Sequence, residues 1–485
     1  MPPNLFGRKT IYTDETEITA ENIIAVLQDA LHVHASNRAA IDYLWRYYKG
    51  DQPVLHRTKE IRADICNKIV ENRAYQIVSF KTGYLLGEPI QYVNASADES
   101  TGDAIQLLNS YMLAEDKSAG DMELCEWMEV AGVGYRMVLP DKPGEEDEAP
   151  FEVYTVDPRN TFIVRSSDIG NKPLLNCHYV QKRDGTIIYS CYTEHEYFEI
   201  SNGGIVRQEA QTLGLPIIEY PLNRAKLGEF EVVLPLLDAL NSTESNRLDG
   251  VEQFIQALLL VHNVDISEDD MKELRELGGI KFSDIDSATK GEIKYLTAEL
   301  NQSQAQVFAD SLYDTVLTIC GMPNRNGGSS TSDTGSAVIM RDGWSDAEAR
   351  AQRVENLFKR SEKEFLKRVL KICAKAGRMD LKLKDIGIQF TRRNYENISE
   401  KCNVLVSMLS SDKIAPQLAF DHCGLFTDSS TAYAMSKRYA EERKKEAMQI
   451  GQNTAPQGVA EPGGAEGDQG NSESRQQRGN PPQKE

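Results

Sequence analysis

Residues 324–335, Asn-Arg-Asn-Gly-Gly-Ser-Ser-Thr-Ser-Asp-Thr-Gly, interrupt two strongly helical segments in the middle of the chain with a stretch that cannot pack a core. Glycine lowers the penalty for unusual backbone angles, and Ser, Thr and Asn compete with the backbone for hydrogen bonds, so the spacing predicts a mobile loop between rigid flanks. Loops of that length without structure are uncommon inside compact domains and are usually functional. The preceding helical segments, residues 235–262 and 299–320, carry Asp238, Glu244, Asp249, Glu252, Glu299, Asp310 and Asp314 against the single Arg247. The expectation is a shared acidic face.

Composition narrows the classes. The 485 residues suffice for roughly two to four domains with sizeable cores. Lys plus Arg number 54 and Asp plus Glu 74, a net charge of -20. That argues against broad phosphate neutralisation, though not against a surface that nucleic acid passes without sticking. Eight widely spaced cysteines contain no C-x-x-C pair, which fits reduced, mostly buried thiols in a cytosolic setting. No apolar run approaches the roughly 20 residues of a membrane span and the N-terminus lacks a signal-peptide core, so we expect a protein made and used in solution, with no membrane partner.

Periodicity predicts an α+β, mainly helical fold. Helices are expected over residues 19–31, 36–48, 67–86, 103–112 and 116–132, then strands over 135–139, 151–156, 161–164, 176–181, 186–192 and 196–200. Asp184-Gly185 and Asn202-Gly203 supply the backbone angles of tight hairpins. Residues 141–148 read as an exposed acidic loop. Within 264–295, a short helix is expected over 267–277 and short strands over 280–282 and 292–295. Beyond the polar loop, residues 336–377 could form one helix of about 42 residues, roughly 60 Å long. A strand over 386–391 and helices over 399–410, 416–423 and 429–447 follow, and the Gly-, Pro- and Gln-rich remainder from 452 reads as disordered.

The search for an active site finds none: no catalytic residues, metal ligands or cofactor are assigned. There is no G-x-x-x-x-G-K-[ST] phosphate loop. His195-Glu196-Tyr197-Phe198-Glu199 starts like a zinc-protease motif, but its second histidine is a glutamate and the segment reads as a strand. His32 and His34, two apart on a helix, point in different directions. Gly132-Val133-Gly134 lacks the third glycine of a dinucleotide fingerprint and reads as a helix end. The acidic helices leave three readings open: a two-metal nuclease site, a solvated face, or the lining of an acidic channel.

Several blocks occur in a recognisable order. Tyr47-Tyr48-Lys49-Gly50 is followed by Asn67-Lys68-Ile69-Val70 with Asn72, and by Gly83-Tyr84-Leu85-Leu86-Gly87-Glu88-Pro89-Ile90. Pro216-Ile217-Ile218-Glu219-Tyr220-Pro221 then precedes Leu236-Leu237-Asp238-Ala239-Leu240-Asn241, and Gly321-Met322-Pro323 precedes the polar loop and Thr334-Gly335-Ser336-Ala337. Together they resemble the portal, or head-to-tail connector, proteins of tailed double-stranded DNA bacteriophages, most closely the siphophage type of Gram-positive hosts. One departure is Pro221-Leu222-Asn223, where that family often places the Asn directly after the strand.

The resemblance implies a portal fold with wing, stem, clip and crown regions, assembled as a ring of about twelve copies around a DNA channel. It implies an N-terminal arm (1–18), a wing (19–234), stem helices (235–262 and 299–321), a clip (263–298), a tunnel loop (322–335), a long spine helix (336–378), a wing return strand (379–395), crown helices (396–450) and a disordered tail (451–485). The tunnel loop would comprise Asn324, Arg325, Asn326, Gly327, Gly328, Ser329, Ser330, Thr331, Ser332, Asp333 and Thr334. The acidic tunnel candidates are Asp238, Glu244, Asp249, Glu252, Asp310 and Asp314; the clip contacts are Lys272, Arg275, Lys281, Lys290 and Lys294. Implied partners are other copies of the chain, double-stranded DNA, a terminase, a head-tail adaptor, and major capsid and scaffolding proteins. The implied location is the virion, after assembly in the host cytoplasm. The alternatives are a metal-dependent nucleic-acid enzyme using Asp238, Asp249, Asp310 and Asp314, and a nonviral helical scaffold.

Overall fold

The computed structural model describes residues 6–60, 62–95, 100–141, 148–255, 258–263, 269, 272, 292–296, 302–324, 343–392, 398–426 and 429–453. The chain divides into two units, Met1–Glu396 and Asn397–Glu485.

In the first unit, α1 (Ile23–Tyr48), α2 (Arg73–Leu86), α3 (Ser100–Ala114) and α4 (Lys117–Ala131) precede most of the strands. Two helices were expected across α1. There is one, because nothing between His32 and Ser36 breaks it and His34 turns inward, its ring 4.7 Å from Phe162 and its Nε2 3.0 Å from the Arg159 carbonyl. The helix expected from Asn67 starts only at Arg73, where the Asn72 side chain accepts from the N–H of Tyr75 as an N-cap.

The strands β1 (Ile11–Thr13), β5 (Thr161–Ser166), β6 (Pro173–Gln181), β7 (Ile187–Tyr192), β8 (Glu196–Ser201) and β9 (Gly204–Ala210) form one six-stranded sheet in the order β1-β5-β6-β7-β8-β9. Only β1 runs parallel to its neighbour. Asn202 and Gly203 both have positive φ (49° and 76°), the pattern of a two-residue hairpin, whereas at the other turn only Gly185 is positive (87°). A second sheet orders β10 (Ile217–Pro221), β3 (Val133–Pro140) and β4 (Phe151–Val156); a third pairs β13 (Ile386–Gln389) with β2 (Gln91–Asn94). The Gly132 segment ends α4: Gly132 is left-handed, and a Cβ there would lie 2.1 Å from the Lys226 carbonyl oxygen.

Helix α5 (Leu234–Ile255) packs against α6 (Gln302–Cys320). The helix expected to reach residue 262 stops at Ile255, and Leu258–His262 forms β11, paired antiparallel with β12 (Glu292–Leu296). The unbroken apolar run Leu258-Leu259-Leu260-Val261 fits either period, and pairing with the second strand decides it. Helix α7 (Trp344–Lys375) is the longest described. It ends in a Schellman motif, with Gly377 N–H donating to Ala374 O and Arg378 N–H to Cys373 O. Its apolar side buries Phe358, Phe365, Leu366, Val369, Ile372 and Cys373 in the main core with α3, α4 and the second sheet, each worth about 1.5–3 kcal/mol for the larger side chains.

The second unit contains α8 (Ile398–Leu409), α9 (Pro416–His422) and α10 (Ser429–Asn453). Phe420 stacks on Phe426 and contacts Tyr433, at ring separations of 5.2 and 5.7 Å. The tail beyond 453, the 280–282 strand and most of the 267–277 helix lie outside the described residues, although Asp269 and Lys272 are helical.

Candidate functional site

The acidic helices and the ends of the polar loop form the candidate site, and each is tied down differently. At its base α5 buries Leu234 and Leu237 with Tyr47, Tyr48, Ile77 and Phe230, and with Val316, Leu317 and Cys320 of α6. Further along, Asn241, Ser245 and Asp249 share one face at four-residue spacing and are all buried. They accept from the backbone N–H groups of Glu71, Ile69 and Asn67, at 3.0, 2.9 and 2.7 Å. Asn241 also donates to Gln52 at 2.5 Å, and Gln52 donates to Asn72 at 3.1 Å. The sequence blocks around Asn67, Asn72 and Asn241 thus meet in one network.

The acidic candidates separate accordingly. Asp249 takes Lys59 at 2.5 Å and also Arg57, with its side chain only 4% exposed. Burial alone would raise its pKa, but hydrogen bonds from Lys59 and Asn67 hold it below the usual carboxylate range. Asp238 accepts from the Tyr47 hydroxyl at 2.8 Å, and burial outweighs that bond and raises its pKa. Glu244 pairs with Arg247 at 2.8 Å. Asp310 and Asp314 are exposed on α6, where Gln306 and Asn324 donate to them at 2.7 and 3.1 Å, and with Val307 and Thr318 they line an open groove. Glu252 is half-buried. Of the carboxylates expected on a shared acidic face, Asp238 and Asp249 turn inward and Glu244 is paired. Of the four nuclease candidates, Asp238 and Asp249 are engaged by Tyr47, Arg57, Lys59 and Asn67, and only Asp310 and Asp314 line the groove on α6.

The described residues on either side of the polar loop, up to Asn324 and from Gly343, lie close together. Helix α6 ends in a second Schellman motif, with Gly321 N–H donating to Thr318 O and Met322 N–H to Leu317 O. Arg350 of α7 donates to the free carbonyl of Ile319 at 2.7 Å, a cation against the negative end of the helix. A Cβ added at Gly343 would lie 3.7 Å from Pro323 Cα. Asn324 is described, whereas Arg325 to Thr334 lie outside the described residues, as do Arg275, Lys281 and Lys290. Lys272 is exposed and pairs with Asp269 at 3.3 Å; Lys294 stands in β12 opposite Leu260.

Sequence reasoning missed the anchor of α7. Lys117 Nζ lies 2.7 Å from Asp121 and 2.9 Å from Glu362, and Arg136 pairs with Asp121 and, at 3.3 Å, with Glu362. The hydroxyls of Tyr92 and Tyr220 donate to Glu362 at 2.5 and 2.7 Å. Burial would raise the Glu362 pKa, but Lys117 and Arg136 bring it down to about 2. Two cations and two carboxylates balance in a nearly dry interior, where an unpaired member would be costly. The only sequence signal was a glutamate on the apolar side of a helix and an arginine inside a strand with buried neighbours.

Among the described residues no helix is long and apolar enough to cross a membrane, and no group of three or more His, Cys, Asp or Glu side chains is placed to hold a metal ion. The chain matches the family described as "Phage portal protein, SPP1 Gp6-like" over residues 27–449. It belongs to that family, which assigns it a portal role in a phage. Among solved structures it is similar to a chain in the neck of an empty GTA particle computed with C6 symmetry, at 10% identity, with a TM-score of 0.43, over 73% of this chain and 90% of that one. No curated protein matches it.

Proposed function

We propose that about twelve copies of the chain close into a ring at one capsid vertex of a tailed phage, and that DNA enters through the ring during packaging and leaves through it during ejection. The family match over residues 27–449 carries this reading. In it α5 and α6 form the stem, residues 263–298 the clip that docks a terminase and later a head-tail adaptor, residues 324–335 the tunnel loop, α7 the spine, and α8 to α10 the crown. Capsid and scaffolding proteins surround the ring.

Two structural features support the assignment. Pro323, before the polar loop, and Gly343, after it, lie side by side, an arrangement that suits a loop repeated around a ring as a collar. Val307 and Phe308 on α6 and Leu248 and Val251 on α5 are 68%, 54%, 38% and 44% exposed, apolar surface of the kind that further copies bury.

Mechanistically, Asp310 and Asp314 repel phosphates, so that no deep electrostatic well halts the duplex, while polar loops touch it weakly. Arg325 is the loop's one phosphate partner; unchanged packaging and retention in Arg325→Ala would remove that role. The work of translocation falls to the terminase motor. Depleting the chain in infected cells and complementing it in trans tests the reading. Capsids formed without it should be empty of DNA, and normally filled capsids would refute it.

A further inference from the structure

The outward side of α7 is basic in a chain that is otherwise acidic. Residues 359–384 contain ten Lys and Arg against three carboxylates, whereas the whole chain has a net charge of -20. Arg360, Lys363, Lys367, Lys371 and Lys375 recur at threes and fours, which makes one stripe about 22 Å long on the helix. Lys371 donates to the Leu213 carbonyl at 3.2 Å, Arg368 to that of Leu215 at 3.0 Å, and Lys375 to the Thr212 hydroxyl. Neutral acceptors fix these cations without cancelling their charge. Among the described residues of the stripe, only Lys367 has a carboxylate partner, Glu364 at 2.6 Å.

The stripe borders a cleft of about 430 Å³ lined by the cations Arg165, Lys172, Arg360 and Arg368, the carboxylates Glu219 and Glu364, and apolar residues including Ile163 and Ile217. Its Glu219 is shared by Arg165 and Lys226, at 3.3 and 2.8 Å. The cleft combines buried apolar side chains with an excess of cations, four against two carboxylates.

We propose that this face is a contact between neighbouring copies, receiving an acidic surface of a second copy of the chain; the inference rests on the ring reading. Copies that each carry -20 repel one another, so a positive surface at the junction favours a closed ring, and residues 359–384 provide one. The second copy has exposed carboxylates to offer, such as Asp14, Glu15 and Glu17. Duplex DNA is the competing polyanion, but a protein surface can set apolar side chains against the cleft's Ile163 and Ile217 as well as carboxylates against its cations.

The test compares the full-length wild type with Arg360→Ala/Lys363→Ala/Lys367→Ala and with the corresponding triple Glu variant. Native mass spectrometry across a salt series reads assembly, circular dichroism reads folding, and anisotropy of a labelled random-sequence duplex reads DNA binding. The alanine triple, which adds no repulsion, should fold normally and assemble more weakly, and the glutamate triple should lose at least ~10-fold in assembly constant. Wild-type assembly by a folded alanine triple would overturn the proposal while leaving the ring reading intact. Loss of duplex binding with unchanged assembly would assign the face to DNA. If the wild type forms no ring, the ring reading and this inference fall together.

Discussion

The backbone N–H of Ile69 donates to Ser245 Oγ at 2.9 Å, the middle rung of a ladder that also joins Asn67 to Asp249 and Glu71 to Asn241. Alternate residues of one segment meet every fourth residue of a helix. The match is geometric: two residues of extended chain advance about 6.6 Å, and four residues of α-helix about 6 Å. The ladder fixes the height of α5 against the segment before α2, so an acidic helix proposed to line a channel is positioned by backbone donors.

Each rung should therefore contribute measurably to stability. Ser245→Ala leaves the Ile69 N–H without its acceptor and should cost about 1–3 kcal/mol. Asp249→Ala removes the Asn67 acceptor and the partner of the partly exposed Arg57 and Lys59, and should cost at least as much as Ser245→Ala. Urea unfolding reads both; losses under about 0.5 kcal/mol, the range of ordinary surface substitutions, would remove the ladder from the account.

Glu362→Gln should destabilise by about 3–5 kcal/mol, because Lys117 and Arg136 lose a buried counter-charge. Its pH signature is specific. The folded pKa of about 2 lies below the ordinary 4.5, so the unfolded chain protonates first. The contribution is complete above about 4.5 and lost as pH falls towards about 2, and that part of the slope should vanish in the variant. Melting midpoints across this window check it.

His34 acts at milder acidity. Burial lowers its pKa to about 4 from the ordinary 6.5, so the folded state keeps the ring neutral while the unfolded chain takes up a proton. Its stabilising effect is whole above about 6.5 and declines down to about 4. In His34→Gln the midpoint should fall less steeply over that interval, and an unchanged slope would contradict the assignment.

Gly132→Ala combines a φ of +77° with a Cβ 2.1 Å from the Lys226 carbonyl oxygen. It should cost more than about 1 kcal/mol. A thermal melt equal to the wild type would mean that the α4–β3 junction yields more easily than its contacts imply.

Asp310→Lys/Asp314→Lys should slow DNA passage through rings that still form, by replacing repulsion with attraction. Packaging assayed by protected DNA length in the presence of the terminase reads this. Wild-type lengths would take these two carboxylates out of the proposed channel.

Period and turn chemistry made the α+β plan readable, because strands rich in aromatic and branched residues, the Asn202-Gly203 turn and the amphipathic α7 each satisfy local rules that agree with the tertiary structure. The misses have physical causes. The break expected within α1 rested on residues with no breaking power, and the end of α5 fell in an apolar run that only pairing with residues 292–296 resolves. Asp249 read as an acidic tunnel candidate, and its burial could not be seen, because its partners Arg57, Lys59 and Asn67 lie about 180–190 positions away in sequence. Lys117, Arg136 and Glu362 were unreadable for the same reason: their neutrality exists only once α4, β3 and α7 are packed.

Native mass spectrometry of the purified full-length chain, with negative-stain images of the same sample, tests the central claim most directly. The account predicts a single closed species of about twelve copies with a central hole. A species that stays monomeric or dimeric without a pore, at concentrations where portal rings should form, would contradict it.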